Sequence, residues 1–309
     1  MKTKHALLFT TVLVPVCTVL RILQYIFVID ENGFFKPQNG FQSFLVYSLY
    51  ILMAAAAVFS GLFLIWGSSQ KANRRIFKSN NSGLMFIIIA IIMMADFGVN
   101  LAAMLKTQMP DPVTVLELLA AVFYAILGYT ILSGSKPKKG IYALGFFAPI
   151  YIIAHAIKAF FSSFEKSHVS QVKFNMLILC CMALLVMTVV LLFCGQKVTK
   201  KRIVALSLLY AVIASSGSIA DLYAAAVGKV YAFSPASFIF NALIQTVFII
   251  ISFIVLINAD ADDYSVCNMQ NQQDDQQRVC IDGTEDMQHK PDDVQNKDSI
   301  INNIYEEER

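Results

Sequence analysis

Hydrophobic positions along this chain are gathered into eight long runs, which short polar and charged segments separate. A helix needs ~20 apolar residues to cross a membrane, because the hydrocarbon layer is ~30 Å thick and each residue adds ~1.5 Å. All eight runs reach that length. They predict transmembrane helices at 6–28, 43–67, 83–105, 112–134, 141–164, 175–195, 203–227 and 236–258.

Composition supports a membrane fold, because 57% of the residues are hydrophobic and 15% are charged. The sequence therefore predicts an all-α membrane protein with eight transmembrane helices. The first run is not followed by the small-x-small cleavage site of a signal peptide, so we expect a retained helix. The six cysteines and four histidines show no metal-ligand spacing, and we predict neither a metal site nor a cofactor.

The C-terminal region differs in character from the rest of the chain. Between positions 260 and 309 there are fourteen acidic and four basic side chains, and few apolar ones. Such a segment cannot bury enough apolar surface to fold. We therefore predict a transmembrane domain at 1–258 and a disordered acidic tail at 259–309, with a docking site for a cytoplasmic partner as the alternative for the tail.

Positive charge is distributed unevenly among the connections between helices. Thirteen Lys and Arg residues lie in the N-terminus and the second, fourth and sixth loops, against five in the other loops. Positively charged loops remain in the cytoplasm, so we predict a multi-pass protein of the cell membrane with both termini cytoplasmic. Orientation and attraction to anionic lipid account for the basic loops, and we predict no nucleic-acid binding.

The second half of the chain matches the first half weakly, with its anchor positions in the same order. In particular, Asp96 in helix three falls on Asp221 in helix seven. The matches predict two parallel four-helix repeats, at 6–134 and 141–258, related by an axis along the membrane normal. Equivalent faces of the two repeats would then meet at a central cavity.

Ionisable side chains inside the predicted helices are the sharpest functional signal, because each costs at least ~2.5–3.5 kcal/mol in hydrocarbon. Counting ~1.5 Å per residue, all of them lie in the outer half of the bundle. Several polar residues are spaced three or four apart and so share a helix face. We predict that they line an outward-facing cavity for a lysolipid of the membrane or another amphipathic small molecule. The candidates are Arg21, Asp96, Asn100, Glu117, His155, Lys158, Asp221, Asn241 and Gln245.

A purely structural explanation competes with this one. Arg21 and Lys158 would extend to the membrane interface, Glu117 would be interfacial, and the amides would join helices. That explanation fits Asp96 and Asp221 poorly, because a carboxylate is too short to reach the interface from that depth.

The two aspartates resemble a pattern in the YhhN-like family of membrane lysoplasmalogenases, eight-helix proteins with one aspartate in helix three and another in helix seven. The resemblance covers roughly residues 6–258, and its best stretch is 217–222, around Asp221. It also points to Tyr124, although Ala121 stands three residues earlier, where the family has a histidine. Asn241 and Ala242 replace a family tyrosine pair.

The resemblance implies hydrolysis of the vinyl-ether bond of a lysoplasmalogen, with release of a fatty aldehyde. Such a bond is cleaved by protonating its β-carbon and adding water to the oxocarbenium ion, which requires one carboxylic acid and one carboxylate. Asp96 and Asp221 are the candidate catalytic pair, with their roles left open. Tyr124 joins the candidate substrate-binding residues.

Two other functions remain open at this point. A carrier or sensor would use the same cavity to bind an amphipathic molecule without chemistry. A membrane scaffold would act through the acidic tail and would tolerate loss of the aspartates, whereas an enzyme would need both.

Overall fold

The computed structural model of this chain describes residues 2–72, 74–77, 79–108, 111–134, 144–162, 169–231 and 234–285. A single 3₁₀ turn, Arg74–Phe77, precedes the third helix. The α-helices are α1 (Thr3–Phe27), α2 (Gly40–Trp66), α3 (Asn80–Thr107), α4 (Pro112–Ser133), α5 (Phe147–Ser162), α6 (Ser170–Phe193), α7 (Lys200–Ser215), α8 (Ser218–Ala226) and α9 (Pro235–Glu285).

Seven segments within these described ranges are long and apolar enough to cross a membrane. Helices α7 and α8 together form one of them, Lys200–Ala226, and the first part of α9 forms another, Pro235–Ala261. Helix α5 is apolar but shorter, and part of the predicted fifth helix, 141–164, lies outside the described residues. The predicted all-α, multi-pass membrane fold is confirmed.

Side-chain caps explain where three of the helices begin. The side chain of Asn39 accepts a hydrogen bond from the backbone amide of Gln42 and so caps α2. Ser79 caps α3 in the same way. Asp111 caps α4, whose first residue is Pro112. These caps satisfy backbone amides that the first helical turn leaves without partners.

The predicted seventh helix, 203–227, is wrong in one respect, because it is broken between α7 and α8. The hydroxyls of Ser215, Ser216 and Ser218 bond back to carbonyls of the preceding turn. At Gly217, a Cβ atom would lie 2.4 Å from Cδ1 of Ile178, so the chain approaches α6 more closely there than a side chain permits. Serine and glycine together allow the break.

Helix α7 is the central element of the bundle, and it packs against α1, α2 and α6. Helix α3 packs most extensively against α4, and α5 lies between α4 and α6. The break after α7 is covered by α1, where the hydroxyl of Thr18 donates to the carbonyl of Ser215. The core is therefore built around the broken helix.

Loops meet at both ends of the bundle. At one end, the amide of Ala72 donates to the carbonyl of Val198, which joins the loop after α2 to the loop after α6. At the other end, the amide of Ser170 donates to the carbonyl of Gly33, next to Tyr231. We call this second end the Gly33 end. Which end faces the cytoplasm stays a prediction.

The C-terminal region departs from the expected disorder over part of its length. Helix α9 continues through residues 259–285, where the sequence predicted a disordered tail. The membrane domain belongs to one compact unit, Met1–Asp263, and a second unit comprises Tyr264–Arg309. The predicted disorder of residues 286–309 lies outside the described residues.

Candidate functional site

A cavity of about 280 Å³ lies inside the membrane domain, between α3, α4, α5, α6, α8 and α9. Both Asp96 and Asp221 line it, as the predicted acid and base of one site must. Six further candidates from the sequence also line it. They are Asn100, Glu117, His155, Lys158, Asn241 and Gln245.

Two predicted site residues do not line this cavity. Arg21 is fully buried among other side chains of α1 and α6, behind Asp221. Tyr124 is buried too, and its ring contacts those of Phe86 and Phe248. The cavity lining thus includes neither side chain, and their role in substrate binding stays a prediction.

Asp221 is held by a hydrogen bond from the first helix. It lies in the first turn of α8, directly after the break, and its Oδ1 accepts a 2.6 Å hydrogen bond from the hydroxyl of Tyr25. The Nη2 atom of Arg21 lies 3.4 Å from the same hydroxyl oxygen. Asp221 thus faces one hydrogen-bond donor and, behind it, one positive charge, which favour the ionised carboxylate.

The guanidinium of Arg21 is accommodated in the bilayer region by aromatic rings and polar groups. Its Cζ lies 4.3 Å from the ring centre of Phe174 and 4.7 Å from that of Tyr25. Nη1 donates to Oε1 of Gln24 at 3.0 Å, and Nη2 donates to the hydroxyl of Ser170 at 3.3 Å. Cation–π contacts and hydrogen bonds together offset part of the cost of burying this charge.

Asp96 has a different neighbour, the carboxyl of Glu117, with which it interacts electrostatically. Asn100, one helical turn after Asp96, donates from Nδ2 to Oε2 of Glu117 at 3.1 Å. Asp96 is 4% exposed and Glu117 1% exposed. Oδ1 of Asp96 and Oε1 of Glu117 are buried without a hydrogen-bond partner among the described residues. Glu117 is therefore enclosed by the protein rather than exposed on the surface of the bundle.

Neutral amides form the remaining polar wall of the cavity. Nδ2 of Asn241 lies 2.9 Å from Nε2 of His155. Gln245 donates from Nε2 to Oδ1 of Asn175, also at 2.9 Å. The Nδ2 group of Asn175 is buried without a partner in the described part of the chain, so a donor remains for a bound molecule.

An ion pair lies at the side of the cavity that faces the Gly33 end of the bundle. The ammonium of Lys158 binds Oδ2 of Asp111, the residue that caps α4. Burial of Asp111 disfavours its charged form, but the hydrogen bonds and charge of Lys158 and the amide of Val113 outweigh burial and lower the pKa of Asp111. Both side chains are partly exposed, so the pair forms a polar rim.

Tyr25, Asp111 and Asn175 are not among the site residues predicted from the sequence. Tyr25 has a usable signal, because it lies four positions after Arg21 and shares its helix face. Asp111 has one as well, since it directly precedes Pro112 at a helix start. Asn175 has none, because a single amide at a predicted helix end is a common feature.

Among the described residues, no three His, Cys, Asp or Glu side chains are grouped as metal ligands. No family model, no curated protein and no solved structure matches this chain. Evidence about function therefore comes from the residues of the cavity themselves.

Proposed function

We propose that this protein is a membrane hydrolase that cleaves the vinyl-ether bond of a lysolipid. The observation that carries the proposal is that Asp96 and Asp221, from distant parts of the chain, line one cavity. The two carboxyls also have unlike partners, as an acid and a base require.

The partners suggest a role for each aspartate. Asp221 accepts from Tyr25 and has Arg21 nearby, which suits a carboxylate that activates water. Asp96 interacts with another carboxyl, that of Glu117, which suits a protonated acid that donates to the β-carbon of the vinyl ether. Water then adds to the oxocarbenium ion, and the resulting hemiacetal separates into an aldehyde and an alcohol.

The proposal places this cavity in the outer half of the membrane. Its rim, Asp111 and Lys158, is at the end of the bundle whose loops carry few positive charges. Under the positive-inside rule that end is extracellular. A single-chain lipid of the outer leaflet would reach the cavity from this side, with its polar part among the amides.

The proposal also includes the two parallel repeats. The loops after α2 and α6, which are equivalent in that scheme, pair with each other through Lys71 and Thr199. In addition, α1 supplies the partner of Asp221, and Lys158 of α5 interacts electrostatically with Asp96. Each half would then supply its first helix to the aspartate of the other half.

The decisive experiment measures aldehyde release by purified protein from a lysoplasmalogen. The matched saturated-ether lipid is the substrate control, because it has no carbon–carbon double bond to protonate. We expect Asp96→Asn and Asp221→Asn each to lower the rate by about 10²–10⁴-fold while leaving the shape of the cavity nearly unchanged. Full activity in either variant would exclude the acid–base mechanism.

A second function, binding without chemistry, is favoured by the amide wall. Asn241 with His155, and Gln245 with Asn175, offer neutral donors and acceptors that suit the polar part of an amphipathic molecule. The saturated-ether lipid tests it, because a ligand that binds only the folded state raises the melting temperature. Stabilisation by this lipid, combined with no aldehyde from the vinyl ether, would favour a carrier or sensor.

A further inference from the structure

We infer that Glu117 is a third carboxyl of the reaction centre and that it holds one proton jointly with Asp96. The part of Glu117 in catalysis rests on the proposed function. The sharing of the proton is independent of that function, because it follows from the geometry of α3 and α4.

The pairing begins with the spacing of α3. Asp96 and Asn100 are four residues apart and therefore project from the same face, toward α4. Asn100 donates to Oε2 of Glu117, which draws this side chain to the face of α3 that carries Asp96. The carboxyls of Asp96 and Glu117 interact with each other, both electrostatically and within hydrogen-bonding reach. The oxygens left without partners, Oδ1 of Asp96 and Oε1 of Glu117, belong to this pair.

The positive charge near this position is too small to neutralise two carboxylates. Lys158 is the one Lys or Arg among the described residues that line the cavity. It interacts electrostatically with both Asp96 and Glu117, but its ammonium is bound to a third carboxylate, that of Asp111. The ring of His155 is engaged by Asn241. Tyr151 interacts with Glu117 but carries no positive charge. Two buried like charges repel strongly, and one shared proton removes that repulsion.

A feature of the same cavity that is independent of this pair suits the binding of a small molecule. Asn175, from α6, is 6% exposed, and its Nδ2 group has no partner among the described residues. The cavity therefore offers an amide donor in addition to the two carboxyls. A ligand with an oxygen that accepts a hydrogen bond from Asn175 would place its remaining atoms next to the carboxyls of Asp96 and Glu117.

In the proposed reaction the shared proton is the one that is transferred. The double-bond electrons of the vinyl ether take it at the β-carbon, which leaves an oxocarbenium ion beside two carboxylates. Water adds to the cationic carbon and gives its proton to Asp221. When the hemiacetal separates, its hydroxyl proton passes to the departing alcohol oxygen, and the proton on Asp221 returns to Asp96 and Glu117 through water.

Infrared spectroscopy of the purified protein tests the shared proton directly. At neutral pH we expect the carbonyl band of a protonated carboxyl in the parent, and we expect its loss in both Asp96→Asn and Glu117→Gln. The control is Glu31→Gln, which changes an exposed glutamate in the loop after α1 and should keep the band. A band that is absent from the parent, or that persists in either cavity variant, would overturn the inference.

Kinetics tests the catalytic role of the same pair. We expect Glu117→Gln to lower aldehyde release by about 10²–10⁴-fold, as Asp96→Asn does, and Glu31→Gln to have no effect. Unchanged gel-filtration and melting behaviour in detergent would show that the variants are folded. Full activity of Glu117→Gln would overturn the role of Glu117. If the parent releases no aldehyde, the proposed function fails, while the infrared result still decides whether the proton is shared.

Discussion

The hydroxyl of Tyr25 donates a 2.6 Å hydrogen bond to Oδ1 of Asp221, and it thereby joins the first helix to the broken helix across 196 positions of sequence. Since Arg21 lies on the far side of that hydroxyl, Tyr25 connects the positive charge to the carboxylate. Tyr25 therefore positions Asp221 and stabilises its charge without lining the cavity.

Tyr25→Phe should lower aldehyde release while leaving the bundle folded. A hydrogen bond to a charged group contributes about 1.5–3 kcal/mol, which corresponds to about ten- to a hundredfold in rate. Tyr124→Phe is the matched control, because the hydroxyl of Tyr124 is buried without a partner in the described residues and lies outside the cavity lining. Equal activities of these two variants would contradict the positioning role.

The sequence predicted most of this site because depth and helix spacing are local properties. Asp96 and Asn100 share a face whatever surrounds α3, and the cost of burying Asp221 implies a cavity or a partner. Arg21 shows the limit of such reasoning. Its guanidinium packs against Phe174 of α6, and no local pattern reveals which distant aromatic ring will cover a buried charge.

The break after α7 shows the same limit in the fold. A run of serines with one glycine is compatible with an intact membrane helix, and the apolar run from 203 to 227 predicts one. The break depends on tertiary contacts, namely Ile178 against Gly217 and the hydroxyl of Thr18 on the carbonyl of Ser215. Neither contact is visible in the local sequence.

Gly217→Ala should destabilise the protein because a Cβ atom has no room there. The new methyl group would lie 2.4 Å from Cδ1 of Ile178, and overpacking of this kind typically costs about 1–3 kcal/mol. Adding Ile178→Val removes the clashing atom and should restore part of the melting temperature. Gly61→Ala in α2 meets no atom within 4 Å and should have little effect. A neutral Gly217→Ala variant would show that the break is not tightly packed.

The ion pair of Asp111 and Lys158 should contribute stability that depends on pH. Because the folded state lowers the pKa of Asp111 from its ordinary value of 3.8, the contribution is fully present above that value and disappears as the pH falls through the lowered pKa. Asparagine is as good a helix cap as aspartate, so Asp111→Asn removes the charge and retains the cap. The pair is partly exposed, and we expect at most about 1 kcal/mol.

Melting temperatures of the parent and of Asp111→Asn between acidic and neutral pH test this prediction. At neutral pH the parent should have a higher melting temperature than Asp111→Asn. In acid the melting temperatures of the two proteins should converge. A difference that stays constant over the whole range, or that grows in acid, would show that the ion pair does not account for it.

Arg21 and Asp221 interact electrostatically in the core of the membrane domain, so their contributions to stability should be coupled. Arg21→Met removes the positive charge and leaves a buried carboxylate without it, which typically costs about 3–5 kcal/mol. Asp221→Asn leaves the buried guanidinium without its counter-charge and should also destabilise. In the double variant neither charge remains, so its loss of stability should be smaller than the sum of the two single losses. The measurement is a double-mutant cycle of unfolding free energies in one detergent, with Lys197→Met, which removes an exposed lysine in the loop after α6, as the charge control. Strictly additive losses would mean that Arg21 stabilises the fold through Gln24, Ser170 and its aromatic contacts, and that the charge of Asp221 is held by Tyr25 alone.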